Sequence, residues 1–337
     1  MSLQSLNKKL STTATTSISF STSADRRFRK TMMIILLIVE MLTFCYAGLL
    51  AYVAMRVEYS SPLPITQTPA SFGLDYRDVT FYSREDHVLL RGWFIPGRLP
   101  NGGLTTRHTI IMVHGTGSNR AAPLVLGLSC ALARRGFAVL AFDMRGMGES
   151  APAPLSEGYF EQRDVLGAVD FLHTGTLPYP ALGRPKGIAG WGDSMGAATM
   201  LLAAAHEPAI RAVVSDSSFA ALVPLLEKDT QYPGVLIPSI LSTVEVLYGI
   251  NYYAVRPVDV VASIAPRPIF FIQGTADTVV PPSNMMQLAT AAGAAAHAHI
   301  QTWLVHGAGH IQSYQLMGAT YLNRVVAFFS QAFGPQS

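Results

Sequence analysis

Charged residues are scarce in this chain of 337 residues, where they account for 13% of the sequence against 50% for hydrophobic residues. Soluble domains usually carry about 25% charged residues, so we expect part of the chain to meet lipid. The formal net charge is only +3, and the basic residues cluster near the N-terminus instead of lining one face. The composition therefore excludes nucleic acid as a predicted partner.

Cysteine is also rare. The two cysteines are Cys45, inside an apolar run, and Cys130, inside a predicted amphipathic helix. They suggest neither a disulfide framework nor a metal site. His306 and His310 are four residues apart, but they lie on a glycine-rich segment without the H-E-x-x-H pattern of a helical metal site. We therefore predict no metal and no other cofactor.

A long apolar run near the N-terminus is the first positive feature. Residues 1–30 are polar, are predicted to be disordered, and end in a basic cluster. The run Met32 to Met55 follows and is long enough to cross about 30 Å of hydrocarbon. A cleaved signal peptide is the alternative, but its apolar core usually has about 7–15 residues and ends at a small-residue cleavage site. We therefore predict a transmembrane signal-anchor helix over residues 31–56.

The charges around this run predict its orientation. The basic cluster precedes the run, whereas only Arg56 and Glu58 follow it closely, so we expect a cytoplasmic N-terminus and a catalytic domain on the non-cytoplasmic side. Glu40 within the span is expected to be protonated or to reach toward the membrane surface. Pairing of Glu40 with another helix stays open as the alternative.

Residues 57–74, with two early prolines, are predicted to form a linker, and residues 75–337 a globular domain. Apolar strand-like and helix-like segments alternate through this domain, which predicts an α/β fold with a mostly parallel central sheet and helices on both faces. The predicted strands are 78–83, 88–96, 109–114, 138–143, 187–192, 209–215, 268–273 and 299–305, the first two forming a hairpin. The predicted helices are 121–134, 160–173, 195–206 and 321–333.

The segment Gly192-Asp193-Ser194-Met195-Gly196 lies between a predicted strand and a predicted helix. A G-x-S-x-G turn in this setting exposes the serine hydroxyl at the carboxyl end of the strand, because only glycine fits on either side of it. The pattern occurs by chance in about one such chain in six, so its context has to support it.

Three other predicted strands end in loops that carry suitable residues: His114 to Ser118, Gly274 to Pro281 and His306 to His310. The carboxyl ends of parallel strands meet at one edge of the sheet. A serine needs a histidine base, and that histidine needs a carboxylate partner. Ser194, Asp277 and His310 occur in the chain order of hydrolase-fold enzymes. Asp216 is the alternative acid and His306 the alternative base.

From about residue 75 onward the chain resembles the α/β-hydrolase superfamily, and within it the membrane-anchored hydrolases related to bud-emergence proteins and serine aminopeptidase-like esterases. The matching segments are His114-Gly115, Asp143 to Ser150, Gly192 to Gly196, Gly274 to Asp277 and Gly307 to His310. The resemblance implies Ser194 as nucleophile, His310 as general base and Asp277 as the orienting acid. It also implies an oxyanion hole formed by the backbone N–H groups of Thr116 and Met195.

About fifty residues separate the predicted strands at 209–215 and 268–273, so we expect a small helical cap at about 219–265. The apolar side chains of this stretch favour a hydrophobic acyl or alkyl group in the substrate. The sequence predicts a membrane-anchored serine hydrolase that cleaves carboxylic esters or thioesters through an acyl-enzyme. A serine aminopeptidase or amidase is the first alternative, and a catalytically silent binding module is the second.

Overall fold

The computed structural model of the chain describes residues 23–57, 63–229 and 233–334. The chain divides into two compact units, Met1–Leu50 and Ala51–Ser337. The predicted disorder of residues 1–22 lies outside the described residues.

The N-terminal unit contains most of a single long helix, α1, at Ser23–Val57. It begins eight residues before the predicted start at residue 31, and its first turns include the basic cluster. Arg29 pairs with Asp25 one turn earlier at 3.3 Å, an arrangement that favours helix. The segment Asp25–Val53 is long and apolar enough to cross a membrane, and most of its side chains are exposed. A membrane anchor and a signal sequence both have such a helix.

The second unit contains ten strands and nine further α-helices among its described residues. The strands are β1 Arg77–Tyr82, β2 Leu89–Ile95, β3 Gly97–Arg98, β4 Leu104–Thr105, β5 His108–Val113, β6 Ala138–Phe142, β7 Gly187–Asp193, β8 Ile210–Asp216, β9 Ile269–Gly274 and β10 Ile300–Val305. The helices are α2 Pro123–Arg134, α3 Glu161–Thr174, α4 Met195–His206, α5 Leu222–Asp229, α6 Ile237–Tyr248, α7 Pro257–Val260, α8 Ser283–Gly293, α9 Ser313–Met317 and α10 Ala319–Phe333.

Eight strands form one sheet in the order β1-β2-β6-β5-β7-β8-β9-β10. The pairs β1–β2 and β2–β6 are antiparallel, and the remaining neighbours are parallel. Strands β5, β7, β8 and β9 are adjacent, so their carboxyl ends meet at one edge, as expected for an open α/β sheet. The predicted fold class is confirmed.

Two apolar layers cover the two faces of the sheet. One contains the buried faces of α3, α4 and α8, and the other those of α2 and α10. Strand β5 is buried along its whole length, which explains its continuous run of apolar residues. The small side chains of α4 let this helix pack closely on the sheet, and ten of its residues, Met195 through Ala204, are buried.

The predicted segments from the first hairpin onward agree with the structure to within two residues at each end. Helices α8 and α9 and the short pair β3–β4 were not predicted. Helices α5, α6 and α7 lie between β8 and β9, in the stretch predicted as a cap, whose residues 230–232 lie outside the described part. Some of the apolar residues of α6 are buried by packing, namely Ile237, Ile240, Leu241 and Val244.

Candidate active site

Ser194 stands between the end of β7 and the start of α4, in the backbone conformation φ 53°, ψ −123°. A non-glycine residue adopts this conformation only when its surroundings enforce it, and such strain is typical of a nucleophile turn. A side chain at Gly196 would lie 2.4 Å from the carbonyl oxygen of Val113, and one at Gly192 would lie 2.4 Å from that of Gly196. Both glycines are therefore required by close backbone packing.

The three residues expected from the sequence come together at this turn. The Nε2 atom of His310 lies 2.9 Å from the Oγ atom of Ser194. The Nδ1 atom of the same ring lies 2.8 Å from Oδ2 of Asp277. With Nδ1 protonated, the ring donates to the carboxylate and leaves Nε2 free to accept the serine proton.

The carboxylate of Asp277 is buried and fixed by its own loop and strand. Its Oδ1 atom accepts the backbone N–H groups of Val279 at 3.0 Å and Val280 at 2.8 Å. Its Oδ2 atom accepts Nε2 of Gln273 at 2.7 Å, and the same amide nitrogen also donates to the carbonyl of Val280 at 2.9 Å. Gln273 was not expected to serve the site. Its contacts hold the carboxylate in one orientation toward His310.

The alternative acid, Asp216, and the alternative base, His306, occupy positions different from those of Asp277 and His310. Asp216 ends β8 and accepts the hydroxyl of Tyr321 at 2.8 Å and that of Ser217 at 2.9 Å. The His310 ring pairs with Asp277 instead. His306 is an exposed residue just after the end of β10.

Two backbone N–H groups were expected to form an oxyanion hole, those of Thr116 and Met195. Among the described residues, neither N–H has a protein acceptor in the structure. Met195 is the first residue of α4, where helical N–H groups have no partner within the helix. The backbone of Gly115 approaches the turn so closely that a side chain there would lie 3.1 Å from Cβ of Ser194. Thr116 follows directly in this loop.

Buried ion pairs and a histidine brace the neighbouring loops. The Nδ1 atom of His114 lies 2.9 Å from the carbonyl oxygen of Gly115, and Nε2 of the same ring accepts the N–H of Met144 at 3.1 Å. Burial lowers the pKa of His114, in keeping with this neutral accepting role. Asp143 pairs with the guanidinium of Arg120. Arg145 binds the carboxylates of Asp164 at 2.7 Å and Asp86 at 2.6 Å, so Asp143 and Arg145 brace the loops through separate partners.

Two further carboxyl groups lie buried beneath the turn. Desolvation, followed by the nearby charge of Asp216, raises the pKa of Asp193 to about 7. Desolvation also raises the pKa of Asp216 to about 6, against the lowering effect of its bonds from Tyr321 and Ser217. One oxygen of Asp193, Oδ1, has no hydrogen-bond partner among the described residues. Asp193 therefore holds its proton well above the usual range for a carboxyl group.

A carboxyl group also reaches the predicted oxyanion loop. Glu157 accepts a hydrogen bond from the hydroxyl of Thr116 at 2.7 Å and has a left-handed backbone conformation with φ 53°. The buried carboxylate of Glu161 holds its neighbours, accepting the N–H of Ser156 at 2.8 Å and of Gly158 at 2.7 Å. Desolvation raises the pKa of Glu157 to about 7. Within the described residues, no Lys, Arg or His pairs with this carboxyl group.

No group of three or more His, Cys, Asp or Glu side chains suited to hold a metal ion occurs in the described ranges 23–57, 63–229 and 233–334. The chemistry available at the site is that of a hydroxyl, an imidazole, carboxylates and backbone N–H groups.

The buried Asp193 predicts a pH dependence of stability. The folded state keeps the Asp193 proton up to about pH 7, whereas the unfolded chain releases it near pH 4. The contribution of Asp193 to the free energy of unfolding is therefore present below about pH 4 and is lost as the pH rises to about 7. Asp193→Asn removes this loss, so we expect the melting temperature of the wild type to fall more steeply than that of the variant between pH 4 and pH 8. Thermal unfolding of both full chains in detergent measures this, and parallel curves would contradict it.

Several known proteins are similar to this chain. The chain is 28% identical over 262 residues to the Escherichia coli protein YfhR, covering 76% of this chain and 81% of that protein. It is 23% identical over 234 residues to the protein bem46 of Schizosaccharomyces pombe, covering 68% of this chain and 69% of bem46. These relatives bear out the resemblance to bud-emergence-type α/β-hydrolases.

A solved structure and a family pattern extend this comparison. The Pyrococcus furiosus esterase Pf2001 superposes with a TM-score of 0.66 at 26% identity, covering 82% of this chain and all of the esterase. The sequence pattern of the prolyl oligopeptidase family matches residues 128–336, which is more than half of the chain. The chain therefore belongs to the prolyl oligopeptidase family and is a hydrolase of the α/β-hydrolase superfamily.

Proposed function

We propose that this chain is a membrane-anchored serine hydrolase that cleaves carboxylic esters or thioesters through an acyl-enzyme intermediate. The observation that carries the proposal is the hydrogen-bonded series from Asp277 through His310 to Ser194, with distances of 2.8 and 2.9 Å. These distances fall within the range required for proton transfer from a nucleophile to its base.

In the proposed mechanism, Nε2 of His310 takes the proton of Ser194 as Oγ attacks the substrate carbonyl carbon. The N–H groups of Thr116 and Met195 donate hydrogen bonds to the oxyanion of the tetrahedral intermediate. His310 then gives its proton to the leaving alcohol or thiol, and Ser194 retains the acyl group. A water molecule, deprotonated by His310, attacks the acyl-enzyme. His310 then returns this proton to Oγ of Ser194 as the bond to the acyl group breaks and the acid leaves. Asp277 stabilises the imidazolium form in both halves of the reaction.

Support for an ester substrate with a hydrophobic group comes from two directions. The structural relative Pf2001 is an esterase. The helix α6, in the predicted cap, has a mostly apolar sequence, and Val246 and Leu247 remain exposed on it after packing. Exposed apolar side chains suit lipid-like substrates.

Ser194→Ala is expected to abolish both labelling by a fluorophosphonate probe and hydrolysis of p-nitrophenyl esters, with a loss in kcat of about 10⁴-fold or more. The wild type is expected to hydrolyse these esters faster as the acyl chain lengthens from acetate to octanoate. Labelling and steady-state kinetics on the full chain in detergent measure both. A folded wild type that fails to react with the probe would contradict a serine nucleophile, and a preference for acetate would contradict the hydrophobic acyl group.

The second candidate is a serine aminopeptidase or amidase that uses the same residues. Glu157 favours it specifically, because its carboxylate contacts the side chain of Thr116 and has no basic partner among the described residues. A protonated substrate amine next to the scissile carbonyl would supply the missing positive charge. Membership of the prolyl oligopeptidase family is also in keeping with cleavage of amides.

Glu157→Gln separates the two candidates. If Glu157 holds an amine, the wild type prefers an aminoacyl ester over the neutral ester of the same length. The variant is then expected to lose this preference by about tenfold or more. Ratios of kcat/KM for the two matched esters measure the effect. An unchanged ratio would rule out an amine-binding role for Glu157 and leave the esterase proposal in place.

We also propose that α1 is an uncleaved anchor with its N-terminus in the cytoplasm. The basic residues at its N-terminal end, Arg26, Arg27, Arg29 and Lys30, support this orientation. Ser194 would then act on substrates on the non-cytoplasmic side.

Protease protection tests the orientation. On sealed vesicles with the non-cytoplasmic face outward, we expect added protease to digest the hydrolase domain and to leave an epitope tag at residue 1 intact. Loss of the N-terminal tag from sealed vesicles would contradict the orientation, and its absence from the mature chain would indicate a cleaved signal peptide. Vesicles opened with detergent provide the control, since both ends are then digested.

A further inference from the structure

The carboxyl end of β8 lies between β7, which precedes Ser194, and β9, which precedes Asp277, because the sheet order here is β7-β8-β9. Asp216, the last residue of β8, is paired in register with Asp193. Its carbonyl oxygen accepts the backbone N–H of Ser194 at 2.9 Å. The main chain of Asp216 is thus bonded directly to the residue proposed as nucleophile.

The next residue, Ser217, is bonded to the loop of the proposed base. Its hydroxyl donates to Oδ1 of Asp216 at 2.9 Å and accepts the backbone N–H of Ile311 at 3.3 Å. Ile311 directly follows His310. Both Ser217 and Ile311 are in the left-handed region, with φ 58° and 53°, so local backbone preference does not hold them there.

The carboxyl group of Asp216 is fixed on its other side as well. Its Oδ2 atom accepts the hydroxyl of Tyr321 at 2.8 Å, and the Tyr321 oxygen accepts Nε1–H of Trp191 at 3.0 Å. Trp191 lies on β7, three residues before Ser194, and Tyr321 lies on α10. The side chains of Trp191, Asp216, Ser217 and Tyr321 are all buried. The position of Ser217 is therefore set by β7, β8 and α10 together.

We propose that Ser217 is a positioning residue: it fixes the distance between His310 and Ser194 by connecting the histidine loop to Asp216. The inference rests on the proposed function of these two residues. Asp277 orients the imidazole ring through Nδ1, whereas Ser217 holds the main chain on which the ring is carried. A hydroxyl is needed at this position because it donates to Asp216 and accepts from Ile311 at the same time.

The test compares Ser217→Ala with Ser215→Ala in the full chain. Ser215 lies two residues earlier on β8, and its hydroxyl is buried without a partner among the described residues, so its removal controls for loss of a buried oxygen. We expect Ser217→Ala to lower kcat for the best p-nitrophenyl ester, and the rate of fluorophosphonate labelling, by about tenfold, the rate equivalent of one hydrogen bond. KM is expected to stay within about twofold of the wild-type value, because positioning of the base affects the transition state more than substrate binding. Ser215→Ala is expected to match the wild type.

Ser217→Gly keeps the experiment decisive if the alanine variant does not fold. Glycine adopts the left-handed conformation without strain and also lacks the hydroxyl, so the same tenfold loss in kcat is expected. Equal kcat values for a folded Ser217 variant and Ser215→Ala would overturn the inference, as would a rise in KM with unchanged kcat. Absence of probe labelling in the folded wild type would instead overturn the proposed function, so the two failures are distinguishable.

Discussion

The close backbone packing at Ser194 is the constraint on which the rest of the site depends. The turn from β7 into α4 brings the backbone of Gly196 against the carbonyl oxygens of Val113 and His114, so that β5, β7 and α4 are fixed to one another at this point. The N–H of Ser194 is bonded to the carbonyl of Asp216 on the opposite neighbour, β8. Only with these strands in register do the loops that follow β5, β8, β9 and β10 come together beside the same turn.

The site also concentrates buried carboxyl groups, and their hydrogen-bond partners differ. Asp277 receives three hydrogen-bond donors besides the His310 ring, and these donors fix its orientation. Asp216 receives two hydroxyl groups. Asp193 has one oxygen without a partner among the described residues, and its pKa is raised to about 7. Asp277 is thus held beside His310 by backbone and amide donors, and repulsion between the carboxyl groups is limited where Asp193 keeps its proton.

The sequence was sufficient to predict the strands of the main sheet, the order of the helices and strands along the chain, and the residues that meet at Ser194. Periodicity identified the strands because parallel strands are apolar along their length, and the serine turn was marked by its glycines. Helix α8 was missed because its alanine-rich sequence shows little polarity contrast, and only Met285, Leu288 and Ala292 are buried in it. The start of α1 was placed at residue 31, because polar composition does not reveal helical pairs such as Asp25 and Arg29.

Residues that support the site through tertiary contacts have no such sequence signal. Gln273 bonds to Asp277, which is 4 residues away in the sequence. Ser217 bonds to Ile311, 94 residues away, and Tyr321 bonds to Asp216, 105 residues away. The role of each follows from one hydrogen bond whose geometry depends on the folded sheet. Glu157 is the most informative of these unexpected residues, because its carboxyl group lies next to Thr116 and has no basic partner among the described residues, whereas Ser194, Asp277 and His310 would serve esters and amides alike. If Glu157 holds a substrate amine, the choice of substrate depends less on the residues that the sequence revealed than on loop residues that only the fold brings to the site.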